Sequence, residues 1–84
     1  MKRAMIFVRG NDTERQRAIC ESYAKKHDFT IKGTVERLSA AYDRSTEFDI
    51  LLTAGVTRIS RNQKNFLEII DMFDEAGITV IIAE

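Results

Sequence analysis

Three stretches of the chain are almost unbroken in apolar character: Ala4 to Val8, Phe48 to Ala54 and Ile78 to Ala83. Continuous runs of this length suit strands covered on both faces, as in a parallel sheet. A fourth stretch differs. Phe29, Ile31, Gly33 and Val35 alternate with Thr30, Lys32 and Thr34, and a period of two predicts a half-exposed strand at a sheet edge.

The segments between these runs carry the helical period. From Asp12 to about His27, Ile19, Tyr23 and Ala24 form one apolar face, with Gln16 and Cys20 beside it and a charged back. Thr13 and Gln16 stand at capping-box spacing, and Lys25, Lys26 and His27 place positive charge in the last turn, where it complements the helix dipole. Between Glu36 and Glu47, Leu38, Ala41 and Tyr42 give the stripe of a short helix. Gly55 to Arg61 reads as a loop. Ser60 and Gln63 repeat the capping-box spacing, so Ser60 is expected to cap a helix in which Phe66, Ile69, Ile70 and Phe73 face the core. That helix runs to about Ala76, with Gly77 as the residue that ends it.

The predicted order is β-α-β-α-β-α-β, an α/β fold. Three buried strands and one alternating strand imply a four-stranded parallel sheet of order 2-1-3-4, flanked by helices in three layers with right-handed crossovers. This is a truncated flavodoxin-like arrangement. Its strand order reverses between the first and third strands, and ligands in such folds sit beyond the carboxyl ends of the strands there.

Composition adds limits. With 84 residues, no proline and no Gly/Ser linker, residues 1–84 read as a single domain. A domain this small buries only about 60% of the surface of its unfolded chain, so a partner subunit would help it. Thirteen basic residues balance thirteen acidic ones. A free-standing nucleic-acid binder usually carries a basic excess, so any DNA contact must come from a local patch or from a partner. Cys20 is the lone cysteine, which rules out an internal disulfide and fits a reducing cytoplasm. Apolar runs are too short for a membrane span, and Ala4 to Val8 is too short for a signal peptide. The expectation is a cytoplasmic protein with no membrane partner.

Candidate chemistry concentrates in three arginines. Arg9 follows the first strand, and Arg58 and Arg61 follow the third. These are the strand ends that flank the reversal of order. Three guanidiniums meeting there would hold a phosphate or carboxylate, because each planar fork stays charged and donates in pairs, and the helix starting near Asn62 would add backbone N–H groups. By pattern alone, Arg58 and Arg61 also read as surface ion-pairing residues. Ser22 and Ser39 fall on helical stretches and Ser45 near the end of one, and Tyr23 and Tyr42, aromatic residues at helical spacing, read as core. His27 has no Cys or Asp at ligand spacing, and no metal or cofactor motif is present.

Phe48-Asp49-Ile50-Leu51-Leu52 followed by Arg58-Ile59-Ser60-Arg61-Asn62 resembles the segment of serine recombinases (resolvases and invertases) in which a strand leads to an Arg-x-Ser-Arg-Asn loop. The likeness extends through Phe66 to Phe73, Gly77 and Ile78 to Ile82, and back through Ile6-Phe7-Val8-Arg9, Gln16-Arg17 and Tyr23-Ala24-Lys25. It implies a resolvase-like catalytic-domain fold and phosphate or DNA binding by Arg9, Arg58 and Arg61.

The departures are equally specific. Where the family has its nucleophilic serine, this chain has Asn11 when the strand is aligned without gaps. When Gln16-Arg17 is aligned instead, the loop is several residues short. Thr57 replaces an aspartate, and for a further family arginine only Arg37 or Arg44 could stand in. Counterparts of the long dimerisation helix and of the helix-turn-helix DNA-binding domain are missing from the sequence. The resemblance thus implies a catalytically inactive relative, a recombination-associated regulatory or interaction module of a mobile genetic element. Its expected partners are DNA through the arginine patch, itself, or an intact recombinase. The alternative is a small enzyme binding a phosphate ester or nucleotide in the Arg9/Arg58/Arg61 pocket.

Overall fold

A computed structural model describes residues 2–83, residues 56 and 57 by their backbone only. Strands β1 (Arg3–Phe7), β2 (Thr30–Val35), β3 (Ile50–Thr53) and β4 (Thr79–Ile82) form a parallel sheet of order β2-β1-β3-β4. The expected topology is the observed one. Helices α1 (Thr13–Lys26), α2 (Leu38–Asp43), α3 (Val56–Ile59) and α4 (Gln63–Glu75) make the connections, with a short 3₁₀ turn at Ser45–Glu47.

The alternation of side chains along β1 and β3 divides the interior into two cores. Met5, Phe7 and Leu51 point toward Ala41 of α2, Ile59 of α3 and Phe73 of α4. Ala4, Ile6, Ile50 and Leu52 point toward Cys20 and Ala24 of α1. Both faces of β1 and β3 are thus covered, which is why those strands read as unbroken apolar runs. In β2, an edge strand as expected, only Val35 is buried; Ile31, which the alternation placed on the inward face, is exposed.

Four further local features differ from the sequence expectation. The 55–61 segment is not all loop: α3 makes one turn there and buries Ile59 under the end of the sheet. One turn carries too few residues to show a period. The run from Ile78 to Ala83 is only partly buried in β4, because the sheet order leaves β4 as the second edge.

Thr13 does not cap α1. Asp12 occupies that place in a left-handed conformation (φ 59) without a side-chain cap, and Gln16 turns inward. Nor does Ser60 cap α4. The cap is Asn62, whose Oδ1 accepts from the Asn65 N–H at 3.1 Å. Ser60 sits two residues earlier, where its Oγ accepts from the Asn62 N–H and from Asn65 Nδ2, both at 3.1 Å.

The end of α4 is as predicted. Gly77 takes φ 82, which a residue without Cβ adopts freely. Its N–H bonds the Asp74 carbonyl at 3.0 Å while the Ile78 N–H bonds that of Phe73 at 2.8 Å, the paired closure of a Schellman motif.

Candidate functional site

Arg9 leaves the carboxyl end of β1, the central strand. Arg58 lies in α3 and Arg61 in the link between α3 and α4, both beyond the end of β3. Because β1 and β3 are paired neighbours, these segments meet. Arg9, Gly10, Arg58, Ser60, Arg61 and Asn65 line one cleft of about 400 Å³. The three arginines singled out in the sequence therefore share a single site, at the place where the strand order reverses.

The cleft is electropositive, since among the described residues no carboxylate lines it. Among the described residues, Arg9, Arg58 and Arg61 take part in no ion pair. Two other arginines are engaged. Arg3 pairs with Asp49 and Arg44 with Glu47, each at 3.1 Å. Hydrogen bonding to those guanidiniums holds both carboxyl groups below the usual carboxylate range.

One contact and one backbone conformation shape the cleft. The carbonyl of Arg9 accepts a long hydrogen bond from Arg58 Nη1 at 3.5 Å, which ties the β1 loop to α3. Gly10 takes φ 81, and a Cβ there would stand 3.5 Å from Arg58 Nη1. A side chain at that position would be strained by the backbone conformation, while its Cβ would meet the guanidinium at ordinary contact distance.

Gln16, almost completely buried, clamps the same loop from below. Its Oε1 accepts from the Arg9 N–H at 3.0 Å, and its Nε2 donates to the carbonyls of Arg9 (2.9 Å) and Asn11 (2.7 Å). Sequence reasoning assigned Gln16 to a cap and missed this role, as it missed Asn65. The signal was present: Gln16 shares the inward row of α1 with Cys20 and Ala24, and a polar residue on a buried row has dedicated partners.

Asn11 is exposed and its side chain does not line the cleft. The side chain of Thr57 lies outside the described residues. Of the two arginines left open, Arg37 adjoins the site. With Arg9, Glu36 and Ser39 it lines a neighbouring recess of about 300 Å³. Arg44 instead lies against Gly33 of β2, bound to Glu47. His27 stacks on Tyr23 with ring centroids 4.2 Å apart, away from the cleft. Among the described residues no group of three acidic, histidine or cysteine side chains is placed to hold a metal, and no helix is long and apolar enough to cross a membrane.

Comparison with known proteins gives this geometry a context. The family described as Resolvase, N terminal domain matches residues 7–84. Among solved structures, the N-terminal catalytic domain of TP901-1 integrase superposes with a TM-score of 0.88 at 19% identity, covering 98% of this chain and 77% of that one. A resolvase family site-specific recombinase from Streptococcus pneumoniae gives a TM-score of 0.85 at 14% identity, covering 99% and 72%. At such identities the likeness is one of fold. No curated protein sequence matches.

Proposed function

Because this chain belongs to the resolvase N-terminal domain family, related to the site-specific recombinases, we propose that it is a non-cleaving DNA-contacting module whose arginine cleft receives the phosphodiester backbone. The observation that carries this reading is the convergence of Arg9, Arg58 and Arg61 on one cleft that no carboxylate lines among the described residues. Guanidinium forks suit the paired oxygens of a phosphate.

Strand cleavage by this family's route would need a hydroxyl to attack phosphorus. The loop after β1 offers Asn11, and an amide cannot form that ester. The hydroxyl that lines the cleft, Ser60, already donates to the Asn62 carbonyl at 3.2 Å and accepts two hydrogen bonds. Among the described residues no carboxylate or histidine stands beside it in the cleft lining. The same engagement weighs against a phosphate-ester enzyme. In this reading the protein serves recombination as a regulatory partner, on DNA or beside an intact recombinase.

Fluorescence anisotropy with a labelled duplex tests it. Three phosphate contacts give a salt slope of about −2.7, so affinity should fall about 40-fold between 50 and 200 mM salt. The Arg58→Ala/Arg61→Ala variant should bind more weakly and lower that slope by about 2. A wild-type protein that ignores DNA at low salt, or a variant that binds equally well, would overturn the assignment. An SDS-resistant protein–DNA adduct would overturn the non-cleaving part alone.

A further inference from the structure

The three long connections cover the sheet unevenly. Helices α2 and α4 pack on one face, and α1 stands alone on the other. It leans toward β2, where its Glu21 and Lys25 share a recess with Thr30 and Ile31. On its opposite flank Ile19 and Tyr23 pack in the same cluster as Ile81 of β4, and all three are only partly buried. Ala18, Ile19, Ser22 and Tyr23 floor a surface furrow of about 490 Å³, with Arg15 at one end and Lys26 and His27 at the other. Neither Arg15 nor Lys26 is ion-paired among the described residues.

The outer face of α4 has the opposite character. Leu67 is 52% exposed and Met72 36%. Glu68, Met72 and Glu75 lie in one row and Leu67 and Asp71 in the next, all exposed. Across its length α1 carries four Arg or Lys against two Glu, whereas α4 carries one Lys against four acids. The zero net charge of the chain thus conceals two helices of opposite sign.

We propose that the α1 furrow docks the acidic outer face of α4 from a second copy of this chain. Leu67 and Met72 would cover Ile19, Tyr23 and Ala18, while Glu68, Asp71 and Glu75 would meet Arg15 and Lys26. Charge selects this pairing. An antiparallel pair of α1 helices sets Arg15 against Lys26, and two α4 faces set acid against acid, both repulsive. The contact joins unlike surfaces, so assembly is head to tail, closing into a ring where the rotation between copies closes and continuing open where it does not.

Sedimentation equilibrium of the full chain tests the proposal. At about 50 mM salt the weight-average mass rises above the monomer with concentration, and at about 500 mM salt it falls back, because exposed pairs are screened. Arg15→Glu/Lys26→Glu and Glu68→Lys/Asp71→Lys each weaken association about tenfold. An equimolar mixture of the two variants regains it, since each then presents the complement of the other. Circular dichroism checks that both variants fold, and the salt series on the wild-type chain stands without them. A wild-type monomer at every concentration, association indifferent to salt, or a mixture no heavier than its components would each overturn the pairing.

Discussion

Gln16 holds Arg9 by both of its backbone polar groups, accepting from the N–H at 3.0 Å and donating to the carbonyl at 2.9 Å. A helix side chain here completes the hydrogen bonding of the residue that follows β1, where the sheet ladder has ended. The arginine beside the cleft therefore sits on a fixed backbone.

Replacing Gln16 should loosen that backbone. Gln16→Leu keeps the volume but leaves the Arg9 N–H and the Asn11 carbonyl without this partner and the Arg9 carbonyl with only the long bond from Arg58, a loss of about 1–3 kcal/mol. Urea denaturation measures it. In the same variant, DNA affinity should fall under conditions where the protein remains folded. A variant that is destabilised yet binds DNA normally would limit Gln16 to stability.

Phe73 is fully buried between α4 and the sheet, with its ring centroid 6.0 Å from that of Tyr42. Phe73→Ala should cost about 3–5 kcal/mol. Against the roughly 5–15 kcal/mol typical of folded domains, that is enough to bring thermal unfolding close to ambient temperature. Far-UV circular dichroism during heating would register the change.

Burial, and secondarily the charge of Glu21, pushes the Cys20 thiol up to about 11. The reactive form is the thiolate, so the native protein should resist iodoacetamide near neutral pH. Labelling should speed up by orders of magnitude in denaturant. Rapid labelling of the native protein would mean that α1 opens readily from the sheet.

Acid should weaken the fold through two exposed pairs. The carboxyl groups of Asp49 and Glu47 are both depressed, chiefly by hydrogen bonds from Arg3 and Arg44. Their contribution is complete above the unfolded carboxylate range near pH 4 and is lost as pH falls through the depressed native values. Urea midpoints should therefore drop below about pH 4, and Asp49→Asn should flatten that dependence. An equal slope in the variant would assign acid sensitivity to other groups.

The sequence by itself determined the architecture. Unbroken runs at Ala4–Val8 and Phe48–Ala54 mark strands covered on both faces, the alternation at Phe29–Val35 marks an edge, and Gly77 marks the end of α4. Together with right-handed crossovers these patterns give the order of the sheet, although the equally unbroken run at Ile78–Ala83 lies at the second edge and is only partly buried. The three arginines were legible because the sheet order brings the ends of β1 and β3 together.

Tertiary structure alone decided what depends on partners distant in sequence. Gln16 serves the β1 loop rather than its own helix end because the loop folds back over α1. The Arg58 guanidinium reaches the Arg9 carbonyl across 49 positions of sequence. Arg37 joins the cleft margin while Arg44 is drawn to Glu47. Periodicity tells which face of a helix turns inward, and packing chooses which polar groups meet once it has done so.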